Sequence, residues 1–489
     1  MSSSPPAPPP GLAVTGAGPD SAGWNSAGGD DAGRMTSRLP LSLQIGWSLG
    51  TLGITAYMVG SYLLLRFMTD YMAVPAEVAG TIFAAAKLYD AIADPIIGTI
   101  SDRTNSRWGR RRPYLFAGAF GCGLVFMLVF NVPVVASSTG AAVMLAGMLI
   151  AHATAYALFA VPYMAMPAEM TDNPHERSKL MSFRVINGSL GNMMGGFATA
   201  SLIAYFGGGL VGHRLMAIVI GLFIFIVLMA CFFMTRKARL VEVDRSTHVP
   251  YRKQMRLALR NRPFVILQTA KLMLLSAAAL HTASAPFFVQ RRLQLSDEWL
   301  GTIYLTLTIG TVVAQPFWLW LARRWGKRPT YSVGGIFTAC VWAMWFLLEP
   351  DPARWHVIAI GLLAGLGNGG IVMISQSMLP DTMEFQRRQT GERIEGSFAG
   401  LYIMVEKLGQ AIGASLTGVI LGLFGYIEAR GGETVQQPES AVLGIALCYC
   451  VFSTLFLCLS VVVMQFYPLD ERSMTLRGMS FRRVPAVLE

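Results

Sequence analysis

Charged residues are scarce in this sequence, at 14% of 489 positions, whereas hydrophobic residues occupy 53% and the mean hydropathy is +0.49. A soluble chain of this length needs far more charge to cover its surface, so lipid must cover much of this protein. The six cysteines lie inside apolar runs without a CxxC pair, and the six histidines form no HExxH motif. GxSxG and phosphate-loop motifs are also absent. The sequence therefore predicts no enzyme, no metal site and no cofactor.

Long apolar segments dominate what is present. Each of twelve segments is long enough to cross about 30 Å of hydrocarbon as a helix. They are 41–67, 78–101, 113–134, 141–168, 182–206, 214–235, 263–289, 298–322, 330–348, 355–379, 395–425 and 441–467. The first 38 residues are rich in Pro, Gly, Ser and Ala and have no apolar periodicity, so we expect a disordered tail there.

Basic residues give the chain a formal net charge of +11, which could indicate a nucleic-acid partner. However, they form short clusters between the apolar segments, mainly in the loops that follow segments 2, 4, 6, 8 and 10. The opposite loops hold only Arg214, Arg291, Arg292, Arg354 and Arg430. The positive-inside rule then predicts a multi-pass protein of the cell (inner) membrane with both termini in the cytoplasm and no nucleic-acid partner.

An internal repeat divides the chain into two halves. RWGRRRPY at 107–114 recurs approximately as RWGKRPTY at 324–331, in the loops after segments 2 and 8. Parallel repeats of this kind are typical of two-bundle transporters with a substrate site between the halves. The predicted domains are a cytoplasmic tail 1–38, a six-helix bundle 39–236, a cytoplasmic central loop 237–262, a second six-helix bundle 263–468 and a cytoplasmic tail 469–489.

Three long motifs carry a family resemblance. They are KLYDAIADPIIGTISDRTNSRWGRRRPY at 87–114, VPYMAMPAEMTDNPHERSKLMSFR at 161–184 and PDTMEF…GERIEGSF across 380–398. In these motifs the chain resembles the major facilitator superfamily, and more specifically its glycoside–pentoside–hexuronide:cation symporters. The resemblance implies an all-α membrane protein with the major facilitator fold, in which twelve transmembrane helices form two six-helix bundles. It also implies a functional monomer and a coupling cation, H⁺ or Na⁺.

Asp90 and Asp94 lie four residues apart in the second segment and therefore share one helix face, with Lys87 one turn before them. A charge inside the hydrocarbon costs about 2.5 kcal/mol or more, so these residues should face a polar cavity or each other. One interpretation is a structural Lys–Asp pair. The other, which the resemblance favours, is that the two carboxylates bind the coupling cation.

The chain departs from the family pattern at several site positions. An acidic position and a neighbouring hydroxyl position of the fourth segment are Ala160 and Ala157 here, and a sugar-facing acid of the first segment falls near Leu52. Two aromatic positions associated with sugar stacking are Met164 and Val372. Sodium needs several oxygen ligands, whereas a proton needs one carboxylate, so the alanines favour a proton slightly. The missing acidic and aromatic residues also argue against a melibiose-like substrate.

Substrate-binding or gating residues are predicted on both halves. Tyr156, Arg184 and Lys407 match family positions, and Lys87 and Glu406 complete the set. Lys407 lies deep in segment 11, and we expect it to reach Asp90 or Asp94. Glu406, about 100° around the same helix, should have a partner of its own. Arg184 could equally be a boundary arginine that snorkels to headgroups, and Lys271 is interpreted as a snorkelling lysine outside the site.

Charged residues in the inner loops predict a cytoplasmic gate, with solvated loop charges as the alternative. The gate residues are Gly98, Asp102, Arg103, Arg110, Arg393 and Glu395.

Three classes of function follow from these observations. The first is cation-coupled symport of a small polar solute such as a glycoside, uronide or polyol. The second is transport of an amphiphile such as a lysophospholipid, since relatives of that kind also lack the full set of sugar-binding residues. The third, a membrane enzyme or receptor, is disfavoured because catalytic motifs are missing and the number of segments is too high for a seven-helix receptor.

Overall fold

The computed structural model describes residues 39–104, 106–171, 174–236, 238, 251–390, 395–433 and 435–469, and helices dominate them. The α-helices of the first half are α1 Leu41–Gly60, α2 Leu64–Asp70, α3 Ala76–Arg103, α4 Arg112–Phe130, α5 Ser138–Met170, α6 Pro174–Met193, α7 Thr199–Tyr205 and α8 Gly209–Met234. Those that follow are α9 Tyr251–Arg260, α10 Arg262–Phe287, α11 Asp297–Trp325, α12 Lys327–Met344, α13 Arg354–Thr390, α14 Glu395–Leu423, α15 Glu439–Ala446 and α16 Ser453–Met464.

Short segments of other helical types continue several of these helices. Residues Ser61–Leu63 and Trp345–Leu347 are 3₁₀-helical, whereas Met194–Ala198, Phe288–Arg292 and Leu447–Phe452 are π-helical. The π-helical residues join α6 to α7, extend α10 and join α15 to α16. Each π-helical segment changes the direction in which the following side chains point, because its hydrogen bonds span five residues instead of four.

Nine helical segments in the described part of the chain are long and apolar enough to cross a membrane. They cover nine of the twelve predicted segments. The remaining three correspond to α3, α6 with α7, and α14. Charged side chains lower the hydropathy of α3 and α14, which hold Lys87, Asp90, Asp94, Glu406 and Lys407. The chain is thus a multi-pass helical membrane protein, and the count of twelve spans stays a prediction.

Several helix bounds differ from the predicted ones. The helix of segment 5 begins at Pro174 instead of 182, and α13 continues to Thr390 instead of 379, because charged side chains extend these helices beyond their apolar parts. The predicted central loop 237–262 contains α9, whose Ala258 packs with Phe264 and Phe398. The predicted tail 1–38 lies outside the described residues. Of the predicted tail 469–489, only residue 469 is described.

The two halves contact each other along α3 and α14, where small residues allow close packing. A Cβ atom added to Gly80 of α3 would lie 3.0 Å from the Cα atom of Gly418 and 3.1 Å from the carbonyl oxygen of Ala414, both on α14. These distances leave no room for a side chain. Small residues at such an interface let two membrane helices approach to backbone contact.

At one end of the molecule the halves are also joined by two hydrogen-bonded segments, 69–73 and 429–432, which we call the strap. The amide of Ala73 donates to the carbonyl of Ala429 at 3.1 Å, and the amide of Gly431 donates to the carbonyl of Tyr71 at 2.9 Å. Asp70, which is 4% exposed, accepts hydrogen bonds from Tyr426 at 2.6 Å and from Arg291 at 3.4 Å. The strap lies opposite the arginine-rich loop 104–111.

A second ion pair reinforces the strap. Arg66 of α2 donates to Asp297 at the start of α11, with 2.6 Å between Nη1 and Oδ1, and Gln290 donates to the same oxygen at 2.9 Å. Arg66 is 3% exposed, so these charges are largely screened from solvent. Buried, multiply hydrogen-bonded pairs of this kind fix geometry because breaking one partner leaves an unpaired charge. The strap therefore holds the two halves together at this end.

We expect Gly80→Val to destabilise the protein by about 1–3 kcal/mol, because the added side chain must push α3 and α14 apart. Thermal unfolding of the detergent-purified protein measures this. Gly147→Val, in the middle of α5 where an added Cβ meets no atom within 4 Å, is the matched control. Equal melting temperatures for the two variants would contradict close packing of the halves at Gly80.

Candidate functional site

The centre of the molecule holds one lysine shared by two carboxylates. Lys407 of α14 forms an ion pair with Asp94 Oδ2 and lies 3.4 Å from Asp90 Oδ2, and its Nζ also donates to the main-chain carbonyl of Asp90 at 3.2 Å. Asp90 and Lys407 are 2% and 7% exposed. The two aspartates share a face of α3 because they are four residues apart. The expected contact of Lys407 with these residues is thus present, and it joins the two halves.

Glu406, beside Lys407 on α14, pairs with a different helix. Its Oε2 lies 3.1 Å from Nζ of Lys271 on α10, and the same ammonium donates to the carbonyl of Tyr402 at 3.1 Å. The interpretation of Lys271 as a snorkelling lysine is therefore wrong: it is 4% exposed and bound by an acidic partner within the protein. Glu406 and Lys407 have separate partners because consecutive side chains point about 100° apart around a helix.

Lys87 does not pair with the aspartates, contrary to one interpretation of its spacing. Among the described residues no carboxylate forms an ion pair with it, and its Nζ lies 5.9 Å from the ring centre of Phe83. Lys87 lines a cavity with an empty volume of about 430 Å³, together with Asp90 and Tyr156. Lys87 thus borders this cavity in the first half of the protein.

The cavity contains polar residues that the sequence analysis missed. His152 of α5 stacks on Tyr57 of α1 with 3.9 Å between ring centres, and its Nε2 lies 2.7 Å from Oγ of Ser61. His152 and Ser61 line the cavity beside Lys87. A histidine in the middle of an apolar span was the signal available, because ionisable residues inside membrane segments are rare and usually functional.

A second cavity, of about 280 Å³, continues this space toward the other half. Tyr62 and Phe83 line both cavities, and Gln410 of α14 lines the second. The side-chain oxygen of Gln410 is buried and has no hydrogen-bond partner among the described residues. The site thus extends between the two halves, beside the contact of Lys407 with the aspartates.

Two carboxylate oxygens provide a place for a small cation. Oδ1 of Asp90 and Oδ1 of Asp94 are buried and accept no hydrogen bond from any described residue, whereas Lys407 occupies Oδ2 of both. Ala157 of α5 packs against Ala93 and Ile97 of α3 and so supplies methyl groups in place of oxygen ligands. The arrangement suits a proton, which needs one free carboxylate oxygen, better than a cation that needs many ligands.

The other predicted site residues are dispersed. Tyr156 lines the cavity, with its ring centre 6.0 Å from Lys407 Nζ, but Arg184 of α6 is half-buried and pairs with no described acid. Leu52, Ala160, Met164 and Val372 do not line either cavity.

Of the predicted gate residues, Gly98 packs on Val161, Arg103 is exposed and Arg110 is half-buried with an interaction partner. Arg393 and the side chains of Asp102 and Glu395 lie outside the described residues. The described ion pairs at this end, such as those of Lys179 with Glu176 and Lys327 with Asp381, each lie within one half. The gate stays a prediction.

Comparison with known proteins agrees with this architecture. The family model described as MFS/sugar transport protein matches residues 46–471. The glucuronide carrier protein homolog of Escherichia coli (strain K12) is 30% identical over 449 residues, which cover 90% of this chain and 94% of that protein. The isoprimeverose transporter of Lactiplantibacillus pentosus is 27% identical over 440 residues, which cover 88% and 90% of the two chains.

A solved structure shows the same fold. It is the crystal structure of a bacterial homologue of the human lysosomal transporter Spinster, in an inward-facing and unoccupied conformation. The TM-score is 0.65, and the match covers 87% of this chain and 95% of that one. Sequence identity is 13%, so the likeness concerns the fold alone.

We expect Glu406→Gln to destabilise the protein by about 1–3 kcal/mol, because it leaves the buried ammonium of Lys271 without its counter-charge. The double variant Lys271→Met/Glu406→Gln should recover most of the loss. Thermal unfolding in detergent measures both. Lys179→Gln, which breaks the pair of an exposed lysine with Glu176, is the control and should change stability little. A double variant no more stable than Glu406→Gln would contradict the pairing.

Proposed function

This chain belongs to the MFS/sugar transport protein family and, within the major facilitator superfamily, to the glycoside–pentoside–hexuronide:cation symporters; it is a secondary transporter and not an enzyme, and from this premise we propose that it couples entry of a small polar solute to a cation. The solute is a glycoside, uronide or polyol, and it moves by alternating access across the cell inner membrane. Both termini lie in the cytoplasm, so the strap lies on the outer side.

The contact of Lys407 with Asp90 and Asp94 carries this proposal. It places a positive charge of the second half against two negative charges of the first half, beside a cavity with polar walls. A cation that binds the free carboxylate oxygens competes with Lys407 for the negative charge. Cation binding then weakens the link between the halves, which is the change that alternating access requires.

A proton is the coupling cation that the residues around the aspartates favour. The free Oδ1 atoms accept one proton without further ligands, whereas α5 presents Ala157 where a hydroxyl would serve sodium. The cavity also favours a polar solute over an amphiphile, because Lys87, Asp90 and His152 would need to be desolvated against an alkyl chain. Transport of a lysophospholipid is the alternative outcome of the test below.

We expect proteoliposomes that contain the purified protein to take up a glycoside, uronide or polyol when an inward proton gradient is imposed. The measurement is uptake of labelled solutes under a proton gradient, a sodium gradient or neither, with a labelled lysophospholipid as a further substrate. Uptake with sodium alone would contradict proton coupling. Transfer of the lysophospholipid without uptake of any polar solute would overturn the proposed substrate class.

Neutralising Asp94 or Lys407 singly, as Asp94→Asn or Lys407→Gln, should abolish accumulation against a gradient. Each change leaves an uncompensated charge in a low-dielectric site, so the empty carrier no longer reorients. Solute exchange should survive better than net uptake, because exchange does not require the empty carrier to cross. The measurement is accumulation and exchange rate, with surface expression checked for each variant. Accumulation equal to the parent's in both variants would remove these residues from the coupling site.

A further inference from the structure

A histidine lies buried beneath the strap. His213, near the start of α8, is 0% exposed. Its ring packs on Tyr71 of the strap, with 4.6 Å between ring centres, and on Phe67 of α2, with 5.9 Å between ring centres. The second segment of the strap lies directly on Tyr71, since a Cβ atom added to Gly432 would be 2.7 Å from Cε1 of that ring. Tyr71 thus separates His213 from the second half of the protein.

The hydrogen bonds of His213 show which of its ring nitrogens carries a proton. Nδ1 lies 2.7 Å from the carbonyl oxygen of Gly209, and because a carbonyl only accepts, Nδ1 carries the hydrogen and donates it. Nε2 is buried and has no hydrogen-bond partner among the described residues. A proton on Nε2 would add a positive charge and a second buried N–H group without an acceptor. The closed strap therefore fits the neutral imidazole and disfavours the imidazolium.

The charged groups around His213 do not compensate for a second proton on its ring. Arg66 and Asp70 of α2 and Asp297 of α11 lie within electrostatic range of the imidazole. Arg66 repels a positively charged ring. The two carboxylates attract it, but both are already engaged: Asp297 pairs with Arg66, and Asp70 pairs with Arg66 and Arg291. A protonated ring in the closed strap would thus be a buried charge without a counter-ion of its own, which is costly.

Opening of the strap changes the environment of this ring. When segments 69–73 and 429–432 separate, Tyr71 loses its contact with Gly432, and water reaches the imidazole beneath it. An imidazole in water is half-protonated at about pH 6.5, so the ring binds a proton in mildly acidic solution once the strap is open. A ligand that binds one of two conformations better shifts the population toward that conformation. A proton on His213 therefore favours the open strap.

We propose that His213 is a proton-binding site on the outer side of the protein, and that a proton bound there opens the strap. The proton comes from the external water, forms the Nε2–H bond and returns to the same water when the strap closes, so it is not transported. External acid thereby increases the fraction of carriers that are open to the outside. The inference rests on the proposed orientation and on alternating access, but its site is separate from the aspartates to which the coupling cation is proposed to bind.

The test measures how accessible the strap is in the full chain, purified in detergent. Ala429→Cys places a thiol at a strap position that is 3% exposed, and its labelling by a hydrophilic maleimide, above that of the parent protein, reports opening. Ser440→Cys, at the exposed start of α15, corrects for the pH dependence of the labelling chemistry. We expect the corrected labelling rate to rise about tenfold from about pH 7.5 to about pH 5.5, because protonation of a hydrated imidazole multiplies the open population by that factor.

Variants of two histidines make the assignment specific. His213→Asn keeps a side-chain N–H donor for the carbonyl of Gly209 but binds no proton, so its corrected labelling should be the same at both pH values. His213→Phe, which keeps the aromatic packing on Tyr71, should behave in the same way. His356→Asn is the matched control: it removes a half-buried histidine at the start of α13 and should retain the full response. The melting temperature of each variant checks its folding.

Two results would overturn the inference while the proposed function stands. One is corrected labelling of Ala429→Cys that does not change between the two pH values. The other is an undiminished response to pH in folded proteins that carry His213→Asn or His213→Phe, which would place the responsible group elsewhere, for example at the central aspartates. Absence of solute uptake under every cation gradient would instead remove the proposed function. The labelling experiment needs no solute, so it decides separately whether His213 controls the strap.

Discussion

Compensation of charge inside an apolar protein is the constraint on which the central structure depends. A charged side chain alone in the hydrocarbon is costly, so most of the central charges are paired with an opposite charge on a neighbouring helix. α14 shows the consequence most clearly. Lys407 is directed to α3 of the first half, and the adjacent Glu406 is directed to α10 of the second half. Two consecutive residues thus connect one helix to both halves. Close packing at Gly80 and Gly418 brings α3 and α14 near enough for Lys407 to reach the aspartates.

The strap and the central pair act at different depths of the same interface between the halves. At the strap, main-chain hydrogen bonds and the contacts of Asp70 hold the halves together. At the centre, the contact depends on the charge of two carboxylates, so under the proposed mechanism a cation bound to them weakens it. The family to which the chain belongs moves solutes by changing the contacts between two bundles. The interface thus has two kinds of contact: hydrogen bonds that close one end in this conformation, and a charge contact at the centre.

Sequence reasoning predicted the features that local rules determine. Hydropathy located nine of the twelve predicted spans, and the spacing of Asp90 and Asp94 placed them on one face. The partner of Lys407 was predictable because a lone charge so deep in a span is costly. Lys271 was misjudged because its depth was estimated from the nearest loop, whereas Glu406 on another helix decides its position. Three features depend on the packing of distant segments, which no local pattern specifies. They are the lack of an ion pair at Lys87 among the described residues, the contact of His152 with Ser61 and the pairing of the strap.

The π-helical segments have a consequence for the evolution of the chain. A π turn holds one residue more than the α turn it replaces, so it absorbs a single-residue insertion without rotating the rest of a membrane helix. Phe288–Arg292 is such a segment, and it contains Arg291, which contacts Asp70 in the strap. Members of the family that lack the extra residue would have a regular helix there and a different side chain facing the strap. Alignments of this family should therefore permit one-residue gaps inside spans at 194–198, 288–292 and 447–452, where gap penalties for membrane segments normally forbid them.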